Sequence, residues 1–173
     1  MAMEHLLTIE EEDVDPGAKP VDPTGFGTRE AARAIVLNKK GEVFLLNVSK
    51  CGYHKLPGGG VDEGEDISRA LERELREEIG CQAEVTGEVG TIIEYRDQRR
   101  LKQTSYCYLA KQVGSEQTNA LTEEEISEGF ELVMAKNIAE AVNILEQDSP
   151  NNYEGRFIRL RDLHFLRTVQ SSL

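Results

Sequence analysis

No stretch of this sequence is apolar for long. Uninterrupted apolar runs such as Ala34 to Leu37 and Val43 to Leu46 fall far short of the roughly 20 residues that a membrane span needs. The N-terminal "MAMEHLLTIEEED" lacks the basic flank and the apolar length of a secretory signal, so the expectation is a cytoplasmic protein. Basic residues are also in short supply. Twenty Lys and Arg stand against 32 Asp and Glu, for a net charge of -12, which disfavours duplex nucleic acid and anionic membranes as partners. If the ligand is a polyanion, something cationic has to come between. The three cysteines, Cys51, Cys81 and Cys107, are odd in number and widely spaced, with no CxxC pair. That pattern excludes a disulfide framework and the common zinc sites, and leaves reduced, structural thiols. There is no internal repeat and no low-complexity tract, and 173 residues suit one domain with a real core.

The segments that are present alternate between strand and helix patterns. "EHLLTI" reads as a short first strand, followed by an acidic, Pro- and Gly-rich surface connection. "REAARAIVL" and "EVFLLNV" flank the turn formers of "NKKG" and predict a hairpin. "YHKLP" then runs extended into three glycines. Ile67, Leu71, Leu75 and Ile79 recur every fourth position and Gly80 supplies a stop, predicting a helix over 66–79. Further strands are expected near 83–95, 101–110 and 130–135, with "RDQRRLK" turning between the first two. "NIAEAVNILEQ" and "YEGRFIRLRDLHFLRTV" read as helices separated by "DSPNN". Elements in this order give a single α/β (α+β) domain whose sheet contains antiparallel pairs.

The stretch "PGGGVDEGEDISRALERELREEIGC", residues 57–81, packs eight acidic side chains beside three glycines. On a helix, Glu74, Glu77 and Glu78 fall at i, i+3 and i+4, so their carboxylates share one patch next to the apolar stripe. Three anions there repel one another. Oxygen ligands gathered between core and solvent suit a hard divalent cation such as Mg²⁺, which takes one or two carboxylates, waters and substrate phosphates. A solvated Glu-rich face, with Arg73 and Glu77 as an ordinary i, i+4 pair, is the plain alternative. The spacing of the whole stretch favours the cation.

Gly59, Glu65, Arg73, Glu74, Glu77, Glu78 and Gly80 stand at all seven fixed positions of G-x5-E-x7-R-E-U-x-E-E-x-G-U. A chance match has a probability on the order of one in 10⁸ per starting position. The chain thus resembles the Nudix hydrolase family, with Cys81 where a bulky aliphatic is usual; cysteine packs as a small hydrophobe, so the chemistry stays intact. The "LP" before the glycines and the late "EGFELVMAKNIAEAVNIL" extend the likeness. The resemblance implies an α/β/α sandwich around a mixed sheet over residues 29–173, with residues 1–28 as an N-terminal strand and arm.

The resemblance further implies hydrolysis of a pyrophosphate bond in a nucleoside diphosphate linked to another group, with Mg²⁺ or Mn²⁺ as cofactor. Glu74, Glu77 and Glu78 match the metal-binding positions. A carbonyl of Gly58 or Gly59 is a further candidate ligand, since glycine lets the backbone approach closely. Arg73 and Glu65 match the pair that braces the loop against the helix. Family members often recruit one more carboxylate from a downstream loop; in "LTEEEISEGFE" the first choice is Glu128 and the second Glu125. Tyr53 and His54, just before the glycines, are candidates for stacking on a base. Arg96 and Arg99, in a basic cluster with Arg100 and Lys102, are candidates for gripping a distal phosphate. His164 is expected to pack near the domain edge.

The motif reports the bond and not the leaving group. The downstream proline of many ADP-ribose hydrolases is absent from "EVGTIIEYRDQRR", and no coenzyme A signature precedes the motif. The reading is therefore a small-molecule nucleotide: a nucleoside triphosphate, including damaged or noncanonical ones, released as monophosphate and pyrophosphate. ADP-ribose, nucleotide sugars and dinucleoside polyphosphates are the alternatives. Of other classes, a non-catalytic nucleotide-binding regulator would be expected to lack motif glutamates, whereas an acidic interaction module would need only net charge. Dimers are frequent in the family, so a homodimer is one assembly the resemblance implies.

Overall fold

A computed structural model describes residues 2–115 and 117–173. Its long strands are β2 (Gly27–Leu37), β3 (Val43–Val48), β6 (Gln82–Arg96), β7 (Leu101–Val113) and β8 (Phe130–Ala135), preceded by β1 (His5–Ile9). With β4 at Tyr53–Lys55 and β5 at Gly58–Gly60, the sheet runs β1-β6-β7-β2-β3-β4, with β5 also paired to β2 and β8 to β3. β1 with β6 and β7 with β2 are parallel, and the remaining pairs are antiparallel. It is the mixed sheet expected.

Alternation along β2 and β3 sorts the core into two layers. Ala32, Ala34, Val36, Phe44 and Leu46 face α2 (Ile67–Ile79), burying Ala70, Leu71, Leu75 and Ile79. Ile35, Val43 and Leu45 face the other way, towards α4 (Ile138–Gln147) and α5 (Tyr153–Ser171), whose Ile138, Leu145, Phe157 and Phe165 complete that layer. Helices on both faces of the sheet make an α/β/α sandwich. Among the described residues no helix is long and apolar enough to cross a membrane.

Three segments differ from the sequence reading. The glycines, to which the sequence reading gave no element, form β5 against Ala31–Arg33 of β2, while the extended segment before them is β4, paired with β3. The acidic connection after β1 contains a turn of helix, α1 (Glu11–Val14), closed by a capping box between Glu10 and Asp13. "TEEEIS", read as loop, is α3 (Glu123–Ser127), started by a second capping box in which the Thr122 side chain accepts from the Glu125 amide.

One buried polar network ties the layers together under the glycines. Glu94 of β6 and Arg161 of α5, both fully buried, pair at 3.3 Å. Arg161 also holds Asp162 at 2.7 Å, and Asp162 accepts the Leu56 amide at 2.8 Å. Arg96 takes the other oxygen of Glu94 at 2.8 Å. Burial alone would push Glu94 up, but Arg161, Arg96 and Arg33 more than reverse this and hold it down at about 2.

Candidate active site

α2 starts where the Asp66 side chain accepts the Arg69 amide and stops at Gly80, whose φ of 60° is left-handed. At 100° per residue, Glu78 lies about 40° from Glu74 towards the apolar stripe, while Glu77 lies about 60° away on the solvent side. Burial follows that geometry: Glu78 is 1% and Glu74 8% exposed, whereas the Glu77 side chain is 35% exposed.

The glycine strand is built around these carboxylates. A side chain on Gly59 would overlap the Glu74 carboxylate, so only a bare Cα leaves that carboxylate where it stands. The Gly58 amide donates to Glu78 Oε2 at 2.7 Å, and Lys55 Nζ holds Oε1 at 2.7 Å. Gly58 sits at a φ of 134°, and its carbonyl accepts from Lys55 Nζ at 3.2 Å and from Arg33. A cation drawn to that oxygen has to share it with two charged donors. Burial pushes the Glu78 carboxyl up, against the pull of Lys55 and the Gly58 amide. Burial brings the Arg33 guanidinium down to about 10.

Arg73 braces the entry to the helix. It grips Glu65 with two bonds of 2.9 and 3.0 Å, donates to the Gly60 carbonyl at 3.0 Å, and reaches Glu74 at 2.8 Å and Glu77 at 3.4 Å. Its hydrogen bonds hold Glu65 at about 2. Burial and then the neighbouring Glu74 raise Glu77.

The cluster that gathers is not the trio on the helix, because Glu77, 35% exposed and held by Arg73, stands outside it. Ligand oxygens of Glu74, Glu78 and Glu125 lie within 4.8 Å of one another. Glu125 arrives from α3, whose approach is set by a loop docked on the end of α2: the Gln117 amide bonds the Gly80 carbonyl and the Ala120 amide the Glu77 carbonyl, both at 2.7 Å, and the Asn119 side chain bonds the Glu78 carbonyl at 3.1 Å. Glu128 caps the end of α3 and lines the same cleft without joining the cluster. Three hard oxygen donors from two elements, one almost fully buried, fit a divalent cation. Held there, such an ion would neutralise substrate phosphate charge and make bound water more acidic.

The cleft over this cluster has a volume of about 480 Å³. Glu74 and Glu78 from α2 and Glu124, Glu125 and Glu128 around α3 give it an acidic lining; Arg29 and Arg33 from β2, with Arg96 and Arg99 from the end of β6, give it a basic one. In a chain of net charge -12 that segregation is local and specific. Arg96 is buried and lies 5.6 Å from the Phe157 ring; Arg99 pairs with Glu154 at 2.5 Å and lies 5.5 Å from the Tyr153 ring. Arg100 rests on Phe26 instead, and Lys102 on Tyr95.

Tyr53 borders the cleft but is 4% exposed, with its ring against Gly155. That leaves no open face of the kind expected for stacking on a base. His54 is not among the lining residues: alternation along β4 turns it away, and Asp148 binds its Nδ1 at 2.8 Å and its amide at 2.6 Å. His164 is on α5 beside β1, and burial lowers it. Sequence reasoning missed Arg29, Arg33, Lys55 and Gln103, which read as ordinary strand residues. Their signal was the period-2 placement of Arg29 and Arg33 on one face of β2, two charges where a core strand should carry none.

The family model described as NUDIX domain matches residues 27–151. The chain belongs to the NUDIX family. An RNA pyrophosphohydrolase of Wolbachia pipientis subsp. Culex pipiens is 39% identical over 69 residues, covering 39% of this chain and 43% of that protein. The 8-oxo-dGDP phosphatase NUDT18 of Danio rerio is 37% identical over 87 residues, 46% of this chain and 27% of that protein. The chain thus spans less than half the length of these curated NUDIX relatives. Among solved structures, a NUDIX hydrolase from Nitrosomonas europaea superposes with a TM-score of 0.62 at 12% identity, over 84% of this chain and 90% of that one. At that identity the likeness speaks for the NUDIX fold alone.

Proposed function

We propose that the protein is a Mg²⁺- or Mn²⁺-dependent pyrophosphohydrolase that cleaves a phosphoanhydride bond in a nucleoside diphosphate linked to another group. The substrate class is a nucleoside triphosphate, released as monophosphate and pyrophosphate. The observation that carries this reading is one cleft lined by a carboxylate cluster, Glu74, Glu78 and Glu125, and by four arginines. Phosphoryl and nucleotidyl transfer asks little covalent chemistry of a protein; it asks for positioning and for charge stabilisation.

Each group has a part in that. Glu74, Glu78 and Glu125 would hold the cation. Lys55 and the Gly58 amide orient Glu78 so that its second carboxylate edge is not free to rotate. Arg73 keeps Glu74 and Glu77 in place and fixes the glycine strand through Gly60. Arg33, Arg96 and Arg99 offer guanidinium groups to the phosphates, whose oxygens they can bind in pairs. The names of the two curated relatives denote an RNA pyrophosphohydrolase and an 8-oxo-dGDP phosphatase.

The test is a panel of nucleoside triphosphates, dinucleoside polyphosphates and ADP-sugars with Mg²⁺, scored by monophosphate released. Glu78→Gln and Glu74→Gln are expected to lower turnover by orders of magnitude with the fold retained. Equal hydrolysis by wild type and both variants, or none by wild type on any substrate, defeats the reading. Tight nucleotide binding without hydrolysis would favour the non-catalytic regulator.

A further inference from the structure

The basic end of the cleft is held from behind by a segment outside the NUDIX match. Glu11 of α1 is 8% exposed and accepts three hydrogen bonds: from the Tyr153 hydroxyl at 2.5 Å, the Gln98 side chain at 3.1 Å and the Asp97 amide at 3.2 Å. Asp97 and Gln98 belong to the turn between β6 and β7 that carries Arg96 and Arg99. Tyr153 opens α5, and its hydroxyl also accepts the Gln98 amide at 3.2 Å. Both cleft arginines rest on what this carboxylate fixes. Arg99 lies over the Tyr153 ring and pairs with the adjacent Glu154, and Arg96 lies over Phe157, which packs edge-on against Tyr153 at 5.3 Å. Glu11, Tyr153, Glu154 and Phe157 all fall outside residues 27–151.

We propose that Glu11 is a positioning residue: it clamps the β6–β7 turn to the start of α5 so that Arg96 and Arg99 meet the distal phosphates of the substrate in a fixed place. The ligand named here rests on the nucleotide reading above. The carboxylate suits the task because it is acceptor-only and all three of its partners are donors. Without it, the turn and the helix keep the Gln98–Tyr153 hydrogen bond and the Arg99–Glu154 ion pair but lose the three bonds to Glu11, one of them from the turn backbone itself, and a guanidinium that has to be ordered on binding binds less tightly.

The role can be tested apart from catalysis, with inorganic tripolyphosphate as the probe and calorimetry in EDTA, where affinity depends on the protein's cations. Glu11→Ala and Tyr153→Phe are each expected to weaken binding about three- to tenfold, as the loss of one or more hydrogen bonds implies. Tyr153→Phe keeps the ring on Phe157 and so reports even if Glu11→Ala folds poorly. In an Arg99→Ala background, Glu11→Ala should weaken binding less than it does in the wild type, because one of the two arginines it acts through is already removed. In the Mg²⁺ hydrolysis assay the same variants should raise KM with kcat within about twofold. Unchanged tripolyphosphate affinity in both variants, or fully additive effects with Arg99→Ala, overturns the proposal. Coupled loss of tripolyphosphate binding in a protein that hydrolyses no nucleotide would sustain the clamp and remove the reaction.

Discussion

Replacing Glu94 by Gln isolates the charge at the centre of the buried network, because the two side chains have nearly the same shape. In the folded protein this carboxyl is held at about 2, against an ordinary value of 4.5. By linkage that difference amounts to about 3 kcal/mol of stability at neutral pH. An independent route gives a similar figure: breaking a buried ion pair by removing one partner costs about 3–5 kcal/mol, and Glu94 faces Arg161 and Arg96, both buried. The folded value is depressed, so the stabilisation is complete above the unfolded value and is lost as pH falls from about 4.5 towards 2. Urea unfolding at two pH values tests this. At pH 7 the variant should be less stable by about 3 kcal/mol, a midpoint shift of about 1.5 M for an m-value near 2 kcal/mol/M. At pH 3 the gap should shrink to less than half. A gap below about 1 kcal/mol at pH 7, or one that is the same at both pH values, refutes the assignment of Glu94 as an ionised, arginine-held carboxylate.

Three further outcomes follow from the site. Gly59→Ala should push the Glu74 carboxylate out of the cluster, lowering turnover about 100-fold, the scale of a 1 Å misplacement, with little change in melting temperature; near-normal turnover would mean the close approach is not needed. Glu125→Gln should weaken Mn²⁺ binding, read by electron paramagnetic resonance, on the order of tenfold, whereas Glu128→Gln should stay within about twofold; the reverse ranking would restore Glu128 as the recruited carboxylate. Gly80→Ala combines a left-handed φ with a Cβ driven onto the Gln117 carbonyl, and should cost about 1–3 kcal/mol in chemical unfolding. An unshifted curve would show that the loop moves freely away from the helix.

What could be read from the sequence, and what could not, separates along physical lines. α2 was legible because its stripe of Ile67, Leu71, Leu75 and Ile79 and its stop at Gly80 are local signals, and the structure has the helix at Ile67–Ile79. The alternation that built β2 and β3 was equally local. Which carboxylate joins Glu74 and Glu78 was not local, because the choice among five glutamates depends on how a distant loop docks. A usable clue was nevertheless present: Thr122 with Glu125 three residues later is a capping-box pattern, which makes "TEEEIS" a helix start rather than a loop. Arg33 left one trace, its place with Arg29 on a single face of β2, but its partner, the Gly58 carbonyl, left none. Lys55 was hidden because its partners, the Glu78 carboxylate and that same carbonyl, reach it only once the chain has folded. His54 was misjudged because adjacent strand residues point to opposite faces, and a single short strand does not say which face is which; Tyr53 does border the cleft, and its burial against Gly155 of α5 is a long-range contact that residue types do not announce.

The docking of residues 117–120 onto the last carbonyls of α2 turns the five residues that follow into a spacer of set length. Glu125 is measured off from the very helix that supplies Glu74 and Glu78, so thermal drift of that helix carries all three oxygens together. The structure therefore asks more of the spacing here than of most identities: Thr122 supplies the cap and Glu125 the cluster oxygen, while Leu121 and Glu123 serve chiefly by their number.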